Sequence, residues 1–484
     1  MRLILWFLLI ISFAVAENYT EGAGIAVHIR QELLDNLKSS VLDKFVKNIT
    51  TGKFDDIHYM TNLTVFQIYL DLTDMDLSNF EVDLKNSYLK ISEESPNIQF
   101  YVADFSMKFT LKFDFRTEPE FVQDKGDGEI FVDTTSLFIG YTVDVSEEGK
   151  PKLSIQNATL DCSNLTISMR GSAGFSDLIN QIGDFLKDFV KERVNDYLIQ
   201  ITDYTVTPTI NRLISGAYNT SYVFEDKIIA NISSSVLPKF TNDDMTLFFK
   251  GEIRPEDEPI LPFIHDLKVP SEIKEKGRQF QIGISDYLFN SIIYSFYKKK
   301  YLQGQTKDYF PIPASYIKLV FPQISYSDDT EIWFEGKAIE HGYLPNIQIA
   351  NSTTIAQFDF ETDMYAKTEN PDLLLKLEAT ALIELNVYIK RGFYLTVDVQ
   401  TMKIENVKII ENHIDDNSLD KIDEEDIKSF FGLITGFTRN YINTLVSNYQ
   451  IKLPIGDSVD LRDVSLYQED TYIYADVTPK IDID

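Results

Sequence analysis

The chain has 484 residues, 44% of them hydrophobic and 25% charged, with a formal net charge of −30. That length exceeds one ordinary hydrophobic core, so two large domains are expected, and the apolar share excludes wholesale disorder. A surface this acidic repels nucleic-acid phosphates and anionic membranes, which removes nucleic-acid binding from the candidate functions.

The first element is an address. Met1-Arg2 gives a basic start, Leu3 to Phe13 is almost continuously apolar, and Ala14-Val15-Ala16 supplies a small-x-small cleavage pattern. A transmembrane span needs roughly 20 apolar residues, so residues 1–16 are expected to be a signal peptide and the mature chain soluble and secreted, or held in the secretory lumen. Sequons at Asn18, Asn48, Asn62, Asn157, Asn164, Asn219, Asn231 and Asn351 are glycosylation candidates on that route. The lone Cys162 cannot form an internal disulfide; pairing between chains and a buried, inert thiol both remain open.

Gly24 to Ile29 then alternates, and Leu33, Leu34, Leu37, Val41, Leu42 and Phe45 follow at helical spacing. From about Asp56 to Met169 the period becomes two, as in Phe66/Ile68/Leu70/Leu72 and in Phe105 to Phe115. Such strict alternation buries one face only and predicts antiparallel strands. The excess of Phe (34) and Tyr (26) over Trp (2) suits a β-rich chain. Gly126-Asp127-Gly128 reads as a hairpin turn, and Gly171 to Gly174 as a tight turn before a helix.

Ser176 opens a long apolar stripe through Leu178, Ile182, Phe185, Leu186, Phe189, Val190, Tyr197, Leu198 and Ile201 to about Leu213, with Pro208 expected to bend or interrupt it. The second half repeats this grammar. Thr246–Ile253 reads as a strand and is followed by a proline-punctuated stretch. Phe280–Ile284 alternates, and Ser285-Asp286 opens a helix bearing Leu288, Ile292 and Phe296. That helix ends on Lys298-Lys299-Lys300, where cations suit its dipole. Period-two segments follow from Ile317–Val320 to Phe393–Val399. A last helix starts near Glu424 and carries Phe437 and Tyr441, and extended sequence closes the chain.

Chemical motifs are few. His28, His58, His265, His341 and His413 are scattered with no zinc spacing, and no Gly-x-Ser-x-Gly elbow is present. Asp415–Asp420 hints at calcium but lacks the glycine that an EF-hand loop needs, so a solvated loop is the stronger reading. Neither an enzyme, a metal nor a cofactor is expected.

Four islands carry a family likeness. Ile282-Gly283-Ile284-Ser285-Asp286-Tyr287-Leu288-Phe289-Asn290 resembles the opening of the second domain's first helix in the family containing bactericidal/permeability-increasing protein, lipopolysaccharide-binding protein and the plasma lipid transfer proteins. Gly24–Ile29, Lys250-Gly251-Glu252 and Leu453-Pro454-Ile455 agree in order. The resemblance implies an α+β fold: two tandem barrel-plus-long-helix domains, 17–240 with linker and 241–484, joined by a central antiparallel sheet. An elongated boomerang with pseudo-twofold duplication is implied, each domain holding an apolar pocket for a phospholipid-like ligand. Cys162 looks like half of the family's disulfide, whose second half falls near Ile199 here, so the crosslink is expected to be lost.

The lining candidates are Leu33, Leu37, Leu178, Ile182, Phe185 and Phe189, then Leu288, Ile292, Phe296, Phe437 and Tyr441; ordinary core is the bland reading of each. Secreted lipid binding, with transient contact at a membrane or lipid particle, is the expected function. Host defence through bacterial lipopolysaccharide is the alternative. The loops that are basic in endotoxin binders read Lys47–Asp56 and Glu118-Pro119-Glu120 here, which speaks against it.

Overall fold

A computed structural model describes residues 19–62, 67–120, 122–171, 176–214, 221–224, 227–270, 278–308, 311–340, 344–350, 352–414, 422, 424–432, 439, 443, 451–454 and 459–481. The leader (1–16), the turn at 172–174 and the Asp415–Asp420 loop lie outside these residues.

Strands Ile57–Asn62, Gln67–Ile91, Ile98–Glu118, Gln123–Val145 and Pro151–Gly171 form an antiparallel meander in chain order. The alternation dictates the packing: Ile98, Phe100 and Val102 are buried, then Phe105, Met107, Phe109, Leu111, Phe113 and Phe115. The change of phase between Val102 and Phe105 falls on a register shift, where Asp104 takes a positive φ of 38°. A bulge there lets both phases face one side.

Two helices cover the buried face. α1 (Gln31–Thr51) sets Leu33, Leu34, Leu37, Val41, Leu42, Phe45 and Ile49 inward, and Phe45 meets Phe100 edge-on at 5.5 Å. α2 (Ser176–Ile214) is 39 residues long and so runs about 58 Å. It buries Leu186, Val190, Val194, Leu198, Val206 and Ile210. Asn48 of α1 donates its amide to Thr205 of α2 at 2.7 Å, which fixes the helix pair. Pro208 does not interrupt α2, because a proline removes only one backbone donor and the flanking turns hold.

The Gly126–Gly128 segment is not a turn. It lies inside strand Gln123–Val145, where Gly126 pairs with Phe113 on one side and Gly171 on the other. A Cβ at Gly126 would fall 2.1 Å from the Arg170 carbonyl oxygen, so glycine is there for close strand approach. Ile317–Val320 is also not extended: Ala314–Ile317 forms one helical turn, closed by the Lys318 N–H on the Ala314 carbonyl. Thr246–Ile253 divides into Asp244–Phe249 and Glu252–Pro255, parted at Gly251 with φ +59°.

The central sheet joins distant parts of the chain, in the order Ser234–Phe240, Asp244–Phe249, Ile25–Arg30, Phe280–Ser285, Tyr472–Ile481, Val459–Glu469. In the second half Glu331–Ile339, Thr353–Ala366, Asp372–Lys390 and Tyr394–Asn412 form the body of another antiparallel sheet. α3 (Asp286–Lys298) follows its central strand directly, and α4 is described over 424–432. Ser285 precedes α3 without a side-chain cap bond to the helix; its hydroxyl donates to the Gly24 carbonyl at 3.1 Å. One apolar core runs from the first sheet through the central sheet to Ile347, Ala381 and Phe393. A second core gathers Phe321, Phe334, Phe430 and Phe431 beneath α4. The predicted mixed α+β class, dominated by strands, is what the chain adopts.

Candidate functional site

The expected lining residues divide into groups. Leu33, Leu37 and Leu288 are buried members of the main core, while Phe189, Ile292 and Phe296 are half-buried and pack against it. Phe189 lies 5.2 Å from Tyr59, with the Arg193 guanidinium over its ring. Leu178, Ile182 and Phe185 fall on α2, but their side chains lie outside the described set, as do Phe437 and Tyr441. The structure therefore gathers Leu33, Leu37, Leu288, Phe189, Ile292 and Phe296 on one core.

Described residues line hollows of about 650, 540 and 300 Å³. Charged side chains edge all three, and the elongated apolar void expected inside each half is not one of them. The first lies where α1 gives way to the sheet. Phe54, Met75 and Leu111 form its apolar floor, and Phe54 packs on Phe109 at 5.0 Å and Tyr197 at 4.7 Å. Its rim holds Lys53, Lys112 and Arg170 with Asp56, Asp74, Asp76, Asp127 and Glu129. The strand bulges between Thr73 and Asp76, Asp74 takes φ +52°, and its N–H donates to Asp56 Oδ1 at 3.2 Å. Lys112 pairs with Asp74 at 2.7 Å and holds that carboxyl below its ordinary range. The Lys47–Asp56 segment noted in the sequence supplies Lys53, Phe54 and Asp56; the rest of the rim comes from four strands that no local signal joins. The smallest hollow, between Met402–Glu405 and α4, carries Lys403 and Lys428 beside Phe431.

A second polar feature sits at the family-like islands. Glu252 is wholly buried, accepts the Tyr287 hydroxyl at 2.7 Å, and meets Lys250 Nζ at 2.9 Å and Arg254 Nε at 3.7 Å. Burial first, and then the Glu252 carboxylate, push the Tyr287 hydroxyl well above its ordinary range. Asp286, at the first turn of α3, is pushed up to about 6 by burial and by Asp266, against the Tyr287 backbone N–H and Lys268. His28 is buried in the central sheet, its Nδ1 2.7 Å from Thr246 Oγ1, and burial with Arg30 nearby lowers it to about 3.

Among the sequons, Asn62, Asn157 and Asn164 are exposed, whereas Asn48 and Asn231 are half-buried. Asn231 Oδ1 accepts from the N–H and hydroxyl of Ser233. Asn18, Asn219 and Asn351 lie outside the described residues. Cys162 is a half-buried free thiol packed against the core. Among the described residues, no His, Cys, Asp and Glu side chains converge to hold a metal, and no helix is long and apolar enough to cross a membrane.

Helices laid on long antiparallel sheets, with strand Ile25–Arg30 set inside a central sheet built mostly from the later chain, define an α+β class met in a solved structure. The crystal structure of lipopolysaccharide binding protein superposes with a TM-score of 0.57 at 14% identity, covering 95% of this chain and 99% of that one. Residues 225–391 match the model of the LBP / BPI / CETP family, C-terminal domain. The human protein named lipopolysaccharide-binding protein is 21% identical over 224 residues, which span 45% of this chain and 44% of that protein. The P47 protein of Clostridium botulinum E1 aligns over 96% of this chain at 8% identity, with a TM-score of 0.28.

Proposed function

We propose that this is a secreted, glycosylated lipid-binding protein that encloses phospholipid-like ligands against its apolar sheet faces. The observation that carries the reading is the buried face Phe105–Phe115, which shares one apolar core with the inward faces of α1 and α2. Cylinders on a curved sheet leave long grooves, and burying a ~16-carbon acyl chain yields roughly 12 kcal/mol before ordering costs. Leu33, Leu37, Leu178, Ile182, Phe185 and Phe189 would line the first groove. Leu288, Ile292, Phe296, Phe437 and Tyr441 would line the second. The same reading takes the chain as two tandem units, 17–240 and 241–484, and carries no catalytic step.

A second reading, grip on bacterial lipopolysaccharide, draws on the printed name of the human relative. The net charge of −30 opposes it. Native mass spectrometry of the purified full-length chain, followed by solvent extraction, tests both. Co-purified phospholipid supports enclosure. Tight, salt-sensitive binding of lipopolysaccharide, with no phospholipid retained, would favour the second reading. A bare mass and no uptake from phosphatidylcholine vesicles would overturn the first.

A further inference from the structure

We propose that the outer face of the first sheet is a seat for the chain's own N-linked sugars at Asn157 and Asn164; it rests on the glycosylated part of the reading above. Both sequons, Asn157-Ala158-Thr159 and Asn164-Leu165-Thr166, lie on Pro151–Gly171, the last strand of that sheet. The Asn and Thr residues of both are exposed. The neighbouring strand sets the same residue type against each threonine: Thr159 pairs with Phe138, and Thr166 with Phe131. Leu137 and Ile139, like Ile130 and Val132, are buried on the core side, so both phenylalanines face outward. A threonine covers little of a ring, and Phe131 stays 38% exposed.

The first of these rows continues across the sheet. Phe138 pairs onward with Tyr101 and Tyr101 with Tyr88, the two tyrosine rings stacking at 4.9 Å. An aromatic strip thus ends at a sequon threonine. One step along the ladder, Asn157 pairs with Gly140. A Cβ on Gly140 would lie 2.2 Å from Asn157 Oδ1 and 2.3 Å from Pro96 Cγ. Glycine therefore lets the Asn157 carboxamide lean inward over the sheet.

The chemistry of the occupant follows from that geometry. A sequon on a strand puts its Asn and Thr on one face, two residues apart. The residue opposite the threonine is then a diagonal neighbour of the asparagine, roughly 7–8 Å away and within reach of a ring. The first N-acetylglucosamine on the asparagine starts above it. One face of that sugar is made of C–H groups, which the negative face of an aromatic ring attracts. Its hydroxyls stay in water at the rim. Tyr101 and Tyr88 extend the seat beyond the first sugar. The sugars mask apolar strips beside an edge strand, where two copies of the chain would otherwise meet.

The test uses the full-length protein secreted from eukaryotic cells, in which glycopeptide mass spectrometry should find Asn157 and Asn164 occupied. Asn157→Gln should lower the thermal midpoint by about 2 °C, and by much less in a Phe138→Ser background. Asn164→Gln with Phe131→Ser should repeat the pattern. A second readout does not depend on stability. After enzymatic trimming to single N-acetylglucosamines, their acetyl-methyl proton resonances should sit upfield of the free sugar, and Phe138→Ser should return the Asn157 signal to the free position. Bare asparagines at both sites would overturn the seat together with the glycosylated reading. Occupied sites with unshifted methyls, and equal loss of midpoint in both backgrounds, would overturn the seat alone. Binding of free diacetylchitobiose to the glycosylated parent at this strip would also overturn it, since a covered strip has no room for a second sugar.

Discussion

Tyr287 donates its hydroxyl to Glu252 at 2.7 Å, and the carboxylate it reaches is wholly shielded from solvent. The two residues belong to separate islands of family likeness, and the bond ties α3 to the strand Glu252–Pro255. Ser291 reinforces the tie by accepting the Ile253 N–H at 3.0 Å, and Ser295 by donating to the Ile253 carbonyl at 2.9 Å.

Tyr287→Phe should therefore destabilise the fold by about 1–3 kcal/mol, because a buried acceptor loses its donor. Lys250 and Arg254 still face the carboxylate and keep the cost finite. Urea denaturation of parent and variant reads the difference.

His28 predicts an acid limb. Its folded pKa of about 3 lies below the ordinary 6.5, so its contribution to stability is present above pH 6.5 and is lost as pH falls toward 3. His28→Gln, uncharged throughout, should flatten that limb when denaturation midpoints are compared at pH 7 and pH 4.5.

Asp286 carries the opposite sign. Its folded pKa of about 6 lies above the ordinary 3.8, so its contribution is present below pH 3.8 and is lost as pH rises through 6. Asp286→Asn should raise stability at pH 7 relative to the parent. The ceiling is about 3 kcal/mol, reduced by the lost attraction of a carboxylate to the helix N-terminus. Equal thermal midpoints for parent and variant at pH 7, diverging only below pH 4, would contradict this assignment.

Gly126→Ala should cost about 1–3 kcal/mol through overpacking, since the new methyl would strike the Arg170 carbonyl. The fold can yield only by parting two strands, and hydrogen exchange across 124–130 should quicken.

The sequence made local structure legible wherever one periodicity dominates. Phe105 to Phe115 announces a strand, and Leu33 to Phe45 announces a helix, because each pattern is set by neighbours in the chain. Gly126 and Gly128 were misleading for the same reason. Glycine marks both turns and close strand approach, and only the position of Arg170 decides between them. The Ile317–Val320 segment is too short for its period to outweigh the turn formed with Ala314. The Glu252–Tyr287 bond and the rim of Asp76, Asp127, Lys53 and Arg170 depend on which distant strands meet, information that no local window contains.

The placement of Ile25–Arg30 has a consequence for biosynthesis. That strand lies between Asp244–Phe249 and Phe280–Ser285, and the latter pairs onward with Tyr472–Ile481. A ribosome releases the earliest of these segments long before the last exists. The nascent protein must then hold an apolar ribbon in waiting, and folding chaperones are the natural custodians of it.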